Sequence, residues 1–287
     1  MYLGHFGLLE MPFGITPDTS FAYACSSHQE AINTLMVAAT NGEGFIKVTG
    51  EVGTGKTLLC RRFLGMLGPR FVSAYIPNPY LEPRALLLAL AGELSIALEP
   101  DGDKPWDQHR LVKGITGALL EFAAADRQVV VCLDEAQAMP AESLEALRLL
   151  TNLETEKRKL LQVVLFGQPE LDARLAHPGV RQLRQRITFE CRLAALGRRE
   201  LDAYLSHRLR VAGYRAERLF SESAVRRLHS VTRGVPRLVN IVAHKSLLLG
   251  FGAGVQRIEV AHVAAAAADT PAAVGRRWWW PMRPRLG

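Results

Sequence analysis

The sequence lacks the features of a membrane-spanning or secreted protein. None of its stretches approaches the roughly 18 consecutive apolar residues that cross a bilayer, and the richest one, residues 85–92, runs directly into Glu93. The N-terminus has neither the basic start nor the cleavage site of a secretory signal. We therefore expect a cytoplasmic protein.

Cysteine is scarce and widely spread. The four cysteines, Cys25, Cys60, Cys132 and Cys191, have no spacing that suits a metal site, and three of them lie within apolar segments. We therefore expect reduced core residues, as in a reducing compartment. Hydrophobic residues make up 48% of the 287 residues, which suffices for one large or two modest domains.

The most informative stretch is a glycine-rich loop that follows the apolar run 44–49. It reads Gly50-Glu51-Val52-Gly53-Thr54-Gly55-Lys56-Thr57, with Leu58 next in an amphipathic helix. Glycines let consecutive backbone N–H groups point inward, and the helix that begins near Lys56 adds its positive end. Lys56 would neutralise the β- and γ-phosphates, and Thr57 would hold Mg²⁺ through its hydroxyl. The loop predicts that residues 50–58 bind a nucleoside triphosphate.

A pair of carboxylates follows a second apolar run, residues 128–133, which is typical of a strand buried on both faces of a parallel sheet. Asp134 and Glu135 would point in opposite directions. Asp134 would act through Mg²⁺, and Glu135 would polarise the attacking water. The alternative is that the pair only caps the next helix, but its spacing from the upstream loop favours the catalytic interpretation.

Further polar positions follow the next apolar run. Gln168, in the turn Gly167-Gln168-Pro169-Glu170, would sense the γ-phosphate or the water, unless the turn is only structural. Three arginines then precede the last predicted strand, 187–190: Arg181, Arg184 and Arg186. They form either a solvated basic face or the source of an arginine finger that reaches the nucleotide of a neighbouring subunit.

Arg237 follows Gly234-Val235-Pro236 at the start of a predicted helix, where Pro236 suits the first turn. A positive charge at this end opposes the helix dipole, which favours a functional interpretation over a plain surface arginine. Arg237 would then reach across to the γ-phosphate and report the nucleotide state.

Strands that alternate with helices predict a doubly wound α/β domain over residues 28–195. Its predicted helices include 81–97, 108–125 and 144–156. From about Leu196 only helical patterns remain, which predicts a smaller helical domain over 196–268. The aromatic segment 1–27 either walls off the nucleotide base or packs under the sheet. Residues 269–287 form a basic tail that is rich in tryptophan.

The ordered set of motifs resembles an AAA+ ATPase, and the finer match resembles the general secretion pathway protein A (ExeA) family. The resemblance covers about residues 1–268 and rests on Met1-Tyr2-Leu3, Phe6-Gly7-Leu8, Pro12-Phe13, Thr16-Pro17-Asp18, the loop 49–57 and Leu165-Phe166-Gly167-Gln168-Pro169-Glu170-Leu171. Residues 74–81 are most similar to the MshM group, ATPases that assemble the mannose-sensitive haemagglutinin type IV pilus.

This resemblance implies a P-loop NTPase fold with an all-α lid, and ATP with Mg²⁺ as ligands. It implies these roles: Lys56 and Thr57 as Walker A contacts, Asp134 as the Walker B metal residue, Glu135 as the catalytic base, Gln168 as sensor 1, Arg237 as sensor 2, and Arg186, followed by Arg184, as the finger. Such ATPases self-associate into an ATP-dependent oligomer or ring. The implied work is on a type IV pilus or secretion complex at the inner membrane.

The C-terminal region departs from that family. Relatives of the ExeA type continue into a membrane span and a periplasmic peptidoglycan-binding domain, whereas this sequence ends with the tail that contains Arg276-Arg277-Trp278-Trp279-Trp280-Pro281. We therefore expect a separate membrane-spanning partner. Tryptophans flanked by arginines suit a membrane interface, which predicts peripheral contact with the inner membrane. The alternatives are a disordered basic end and a peptide that docks on a partner.

The net charge of +7 supports a competing function, a DNA-associated AAA+ regulator of the transposition or initiator type. The arginines between Arg198 and Arg237 motivate it. Against it, we expect no separate DNA-reading domain after residue 268. A third alternative is a nucleotide-gated scaffold that barely hydrolyses ATP.

Overall fold

The computed structural model describes residues 2–96, 107–154 and 159–273. The chain divides into two compact units. One is Pro17–Ala194, and the other joins Met1–Thr16 to Ala195–Gly287. We call them the α/β unit and the helical unit.

A five-stranded parallel sheet forms the centre of the α/β unit, in the order β2-β3-β4-β1-β5. The strands are β1 Phe45–Gly50, β2 Phe71–Ile76, β3 Gln128–Leu133, β4 Leu161–Gly167 and β5 Ile187–Leu193. The three central strands, β3, β4 and β1, are buried along almost their whole length, as their unbroken apolar runs predict.

The helices described in the chain are α1 Leu3–Phe6, α2 Ser26–Asn41, α3 Lys56–Met66, α4 Pro83–Glu93, α5 Gln108–Ala124, α6 Ala141–Leu150, α7 Glu170–Leu175, α8 Arg181–Arg184, α9 Arg198–Val211, α10 Glu222–Thr232, α11 Pro236–Gly252 and α12 Val260–Ala268. Short 3₁₀ turns lie at Thr19–Phe21, Ala136–Ala138 and Pro178–Val180.

Alternate residues of the central strands enter apolar clusters on opposite faces of the sheet. On β3, Val129 and Val131 pack with α4, α5 and α6, whereas Val130 and Cys132 pack with α2 and α3. Side chains alternate along a strand, so a strand covered by helices on both sides must be apolar throughout. The predicted doubly wound fold is confirmed.

Several predicted bounds were wrong. The helix predicted over 144–156 is α6, which follows Pro140 and ends at Leu150. The helix predicted from 81 begins at Pro83, because proline, which lacks an N–H, fits the first turn. It ends at Glu93, before Ser95 adopts a left-handed conformation with φ 52°. The last strand continues to Leu193.

The first part of the N-terminal segment belongs to the helical unit. Tyr2 Oη lies 2.9 Å from His244 Nδ1 on α11, and the ring of Phe13 meets Phe220 edge to face. Arg208 Nε of α9 donates to the Pro12 carbonyl at 2.6 Å, and Asn240 donates to Gly14 O at 3.1 Å. The alternative that Tyr2 and Phe13 pack under the sheet was therefore wrong, because their ring partners, His244 and Phe220, belong to the helical unit.

No helix among the described residues has both the length and the apolar character that a bilayer span needs. The arginine- and tryptophan-rich tail, 276–285, lies outside the described residues, as does the end of the helix predicted over 81–97. Cys25, Cys60 and Cys132 are buried, as their apolar surroundings predict.

Candidate functional site

The predicted motifs meet at one edge of the sheet. Strands β3, β4 and β1 are parallel neighbours, so their carboxyl ends share that edge. The glycine-rich loop follows β1, Asp134 and Glu135 follow β3, and Gln168 follows β4. Open α/β sheets bind their ligands at this edge.

The loop after β1 has the conformation that its glycines predict. Gly55 has φ 97°, a left-handed value that glycine adopts without steric cost, and Lys56 then begins α3. Lys56 is buried, and its Nζ donates to Gly50 O at 2.8 Å and to Glu51 O at 3.2 Å. Burial lowers the pKa of Lys56, while nearby carboxylates, led by Glu135, oppose that shift. The ammonium therefore lies within the loop, where a bound anion would offset its buried positive charge.

The side chain of Asp134, which follows β3, contacts the first turn of α3. Thr57 Oγ1 donates to Asp134 Oδ2 at 2.6 Å, and Tyr75 on β2 donates to the same oxygen at 3.4 Å. Burial, followed by the charge of Asp134, raises the pKa of Tyr75 to about 12. The phenol therefore keeps its proton at neutral pH and can act as a donor to Asp134.

These oxygen donors fit a magnesium ion bound with a triphosphate. Mg²⁺ prefers hard oxygen ligands and keeps several waters, so it needs only one or two protein side chains beside the phosphates. Thr57 and Asp134, already 2.6 Å apart, would hold it. The ion would offset the negative charge of the phosphate oxygens.

Glu135 faces two side-chain amides. Its Oε2 accepts from Gln168 Nε2 at 2.9 Å and from Gln137 Nε2 at 2.6 Å. Burial alone would raise the pKa of Glu135, but these two hydrogen bonds and the charge of Lys56 outweigh it, so the pKa lies below its usual value. Glu135 is therefore ionised at neutral pH, as a group that polarises water must be.

The structure argues against the alternative that Asp134 and Glu135 only cap a helix. Asp134 Oδ1 accepts the N–H of Glu135 at 3.0 Å, while its other oxygen faces Thr57. The Glu135 side chain, at the start of the 3₁₀ turn Ala136–Ala138, makes no capping hydrogen bond to that turn.

The arginine cluster lies at the opposite edge of the sheet. Arg186 directly precedes β5, whose first residue, Ile187, pairs with Phe45 at the start of β1. The glycine-rich loop begins at the far end of β1, about 17 Å away at roughly 3.3 Å per residue. Arg186 donates to Asn152 Oδ1, while Arg184 is exposed. The backbone of Arg186 therefore lies far from the loop of its own subunit.

Arg237 is the second residue of α11 in the helical unit, and its side chain is exposed. Its predicted role stays a prediction.

Sequence reasoning missed two residues of the site, Tyr75 and Gln137. Tyr75 reaches Asp134 because β2 and β3 are neighbours in register, with Tyr75 opposite Cys132. Gln137 lies only two residues after Glu135, and that proximity is the one signal by which it could have been found. Its contact with Gln168 depends on the turn between β3 and α6.

Comparison with known protein families matches residues 39–175 to an AAA domain. The chain is 42% identical over 258 residues to General secretion pathway protein A of Aeromonas hydrophila, an alignment that covers 90% of this chain and 46% of that protein. This chain thus spans about half the length of that relative.

The solved structures that resemble this fold are more distant in sequence. The ORC2 protein of Aeropyrum pernix, in complexes with ADPNP and ADP, has a TM-score of 0.61 at 16% identity, covering 88% of this chain and 72% of that one. The RuvB branch migration motor of Thermotoga maritima has a TM-score of 0.55 at 15% identity, covering 86% and 69%. At such identities the likeness supports the fold alone.

Proposed function

We propose that this chain, which belongs to the AAA+ ATPases of the general secretion pathway protein A family, hydrolyses ATP to assemble or remodel a type IV pilus or secretion complex at the inner membrane. The observation that carries the hydrolytic part is the meeting of Lys56, the Thr57–Asp134 pair and the Glu135–Gln168 pair at one sheet edge.

Each group has a separate task in the proposed reaction. The backbone N–H groups of residues 50–58 and the start of α3 would bind the phosphates, and Lys56 would leave the Gly50 and Glu51 carbonyls for the β- and γ-phosphate oxygens. Thr57 and Asp134 would hold Mg²⁺. These contacts position the triphosphate and offset the charge that develops on it.

Glu135 would accept the proton of the attacking water, or orient that water, from its ionised carboxylate. Gln168 donates to that carboxylate and lies after β4, between the ends of β3 and β1. From there its amide would report whether a γ-phosphate is present. Arg237 would act as the second sensor, as the family resemblance implies.

A neighbouring copy would complete the site with an arginine. Arg184 and Arg186 lie at the far edge of the sheet from the loop of their own subunit, which suits residues that act on the next subunit. Arg186 would first have to leave Asn152, whereas Arg184 is already exposed. We therefore propose an ATP-dependent oligomer or ring with the finger supplied from Arg184 or Arg186.

Mixing two inactive variants tests this arrangement. We expect the double variant Arg184→Ala/Arg186→Ala and Glu135→Gln each to lose turnover, and a 1:1 mixture to recover about a quarter of it in a steady-state ATPase assay. A working site needs a Glu135 subunit beside an arginine-bearing one, which random mixing gives in about one case in four.

The matched control is a mixture of Lys56→Ala with Glu135→Gln, which should recover nothing, because both changes damage the same face of the interface. The single variants Arg184→Ala and Arg186→Ala then identify the finger. If light scattering shows oligomers but the first mixture recovers no ATPase activity, the proposal that two subunits share one active site is refuted.

The proposed place of action is the cytoplasmic face of the inner membrane, beside a membrane-spanning partner. Support comes from the likeness to General secretion pathway protein A. Peripheral contact through the arginine- and tryptophan-rich tail is part of this proposal, and that tail lies outside the described residues.

The helical unit supports the alternative, a DNA-associated regulator. Residues 2–16 and 195–273 carry twelve arginines and lysines against seven aspartates and glutamates, so this part of the chain is net positive, whereas residues 17–194 are net negative. A cavity of about 530 Å³ on this unit is lined mainly by Arg198, Arg199, Arg218, Arg226, Asp202 and Glu222. Arg218 is already paired with Asp202 at 2.6 Å and with Glu222 at 3.2 Å, which offsets part of the charge.

Electrophoretic mobility shifts over a salt series distinguish the two functions. The secretion or pilus function predicts weak DNA binding that ATP does not change and that fades steeply by about 0.15 M salt. Tight, ATP-dependent binding at that salt, lost in Arg198→Glu/Arg199→Glu, would favour the DNA-associated function instead. Nucleotide binding by this variant serves as the check that the chain is folded.

A further inference from the structure

Gln137 is a residue outside the predicted nucleotide motifs that contacts two of them at once. Its Nε2 donates to Glu135 Oε2 at 2.6 Å, and its Oε1 accepts the backbone N–H of Gln168 at 2.9 Å. The amide therefore uses both of its ends to connect the segment after β3 with the segment after β4. A side chain that only filled space would need neither bond.

The position of Gln137 is itself fixed from outside the site. Arg174 of α7 donates from Nη1 to the Gln137 carbonyl at 2.7 Å, which holds the backbone of the 3₁₀ turn. A Cβ at Gly167, the last residue of β4, would lie 2.7 Å from Leu171 Cδ2 and 3.2 Å from Gln137 Oε1. Gly167 therefore lets both Leu171 and the Gln137 amide approach the end of β4.

Glu135 has an unusual backbone, with φ 54° in the left-handed region. A non-glycine residue in this region is strained and persists only where its surroundings hold it, and such residues occur often at active sites. The surroundings here are the Asp134 carboxylate on the Glu135 N–H and the two amides on the side chain. The orientation of this carboxylate is therefore determined by its neighbours.

We propose that Gln137 is a positioning residue for ATP hydrolysis, which holds Oε2 of Glu135 so that Oε1 faces the attacking water. This inference rests on the proposed hydrolytic function. The described residues make two hydrogen bonds to the Glu135 side chain, and both end on Oε2. When the Gln168 side chain turns to a γ-phosphate, only Gln137 of these two amides still donates to Glu135. The hydrogen bond from the Gln168 N–H to Gln137 Oε1 then keeps the Gln168 backbone in place.

Two substitutions separate the two ends of the amide. Gln137→Met keeps the approximate volume and removes both hydrogen bonds. Gln137→Glu keeps an acceptor for the Gln168 N–H but removes the donor to Glu135. We expect both variants to lower kcat by about 10-fold or more, with KM and the Kd of a fluorescent ATP analogue within about twofold, because they act on the water-activating group and not on phosphate binding.

The matched control is Gln108→Ala, which changes an exposed glutamine in the first turn of α5. It should keep the kcat of the wild type. Thermal unfolding of each variant checks that the fold is retained.

A double-mutant cycle tests whether Gln137 acts through Glu135. In a Glu135→Gln background, single-turnover rates should change by less than about twofold on adding Gln137→Met, because the group that it positions is already gone. A purely structural role predicts the same fractional loss in both backgrounds, and that result would overturn the inference.

A normal kcat in both Gln137→Met and Gln137→Glu, beside an active wild type, would also overturn the inference. A lower kcat in Gln137→Met alone would overturn it too, because only the contact with the Gln168 backbone would then matter for turnover. A wild-type chain that binds ATP without turnover would overturn the proposed function and this inference together, so the two failures are distinguishable.

Discussion

Lys56→Ala should lose nucleotide binding, with the Kd for a fluorescent ATP analogue raised about 100-fold or more in a titration. That factor corresponds to roughly 2.7 kcal/mol, within the range for removing one partner of a buried charge pair. Lys56 is buried, and its ammonium lies on the Gly50 and Glu51 carbonyls, directly within the loop. Without it, the phosphates would meet backbone N–H groups but no neutralising charge.

Lys113→Ala is the matched control for this variant, since Lys113 is an exposed lysine on α5 and should leave the affinity unchanged. Thermal unfolding should show that Lys56→Ala is folded, because the substitution removes a charge that burial disfavours. Unchanged affinity in Lys56→Ala would refute the assignment of the loop.

Glu135→Gln should bind ATP with the affinity of the wild type and hydrolyse it about 100- to 1,000-fold more slowly. The substitution keeps the size of the side chain but removes the charge that accepts or orients a proton, and such groups contribute about 10²- to 10⁴-fold to rate. The expected split, a lower kcat with an unchanged Kd, is measured by single-turnover hydrolysis beside a binding titration.

Glu142→Gln, an exposed carboxylate in the first turn of α6, is the control for a nearby loss of charge. In the organism that encodes the chain, replacement by Glu135→Gln should abolish assembled pili or secretion complexes while the protein level is unchanged. Normal turnover in Glu135→Gln would remove Glu135 from its role.

The parts of the site that the sequence predicted are those that depend on local chain geometry. Gly55, Lys56 and Thr57 are consecutive, so the turn and the helix that follows it fix their positions relative to the loop, whatever the rest of the fold. Asp134 follows an unbroken apolar run, which predicts a buried parallel strand, and parallel strands bring their carboxyl ends together. The doubly wound fold, and the expectation that Thr57 and Asp134 serve one metal ion, followed from these rules.

The parts that the sequence did not predict depend on contacts between distant segments. Gln137 meets Gln168 because of the path of a 3₁₀ turn, and no period or spacing encodes that path. The helix α6 was misplaced because Pro140 sets its start, whereas the apolar pattern alone suggested a later one. Tyr2 and Phe13 pack in the helical unit, whereas the sequence suggested the nucleotide base or the sheet as the partner of this segment.

A crystal structure with Mg²⁺ and a non-hydrolysable ATP analogue tests most directly whether the loop after β1 binds a triphosphate. We expect Lys56 Nζ to leave the Gly50 carbonyl and lie within hydrogen-bond distance of the β- and γ-phosphate oxygens, with Thr57 and Asp134 beside the metal. An analogue bound elsewhere, with Lys56 still on Gly50 O and Asp134 away from any metal, would contradict the proposed site.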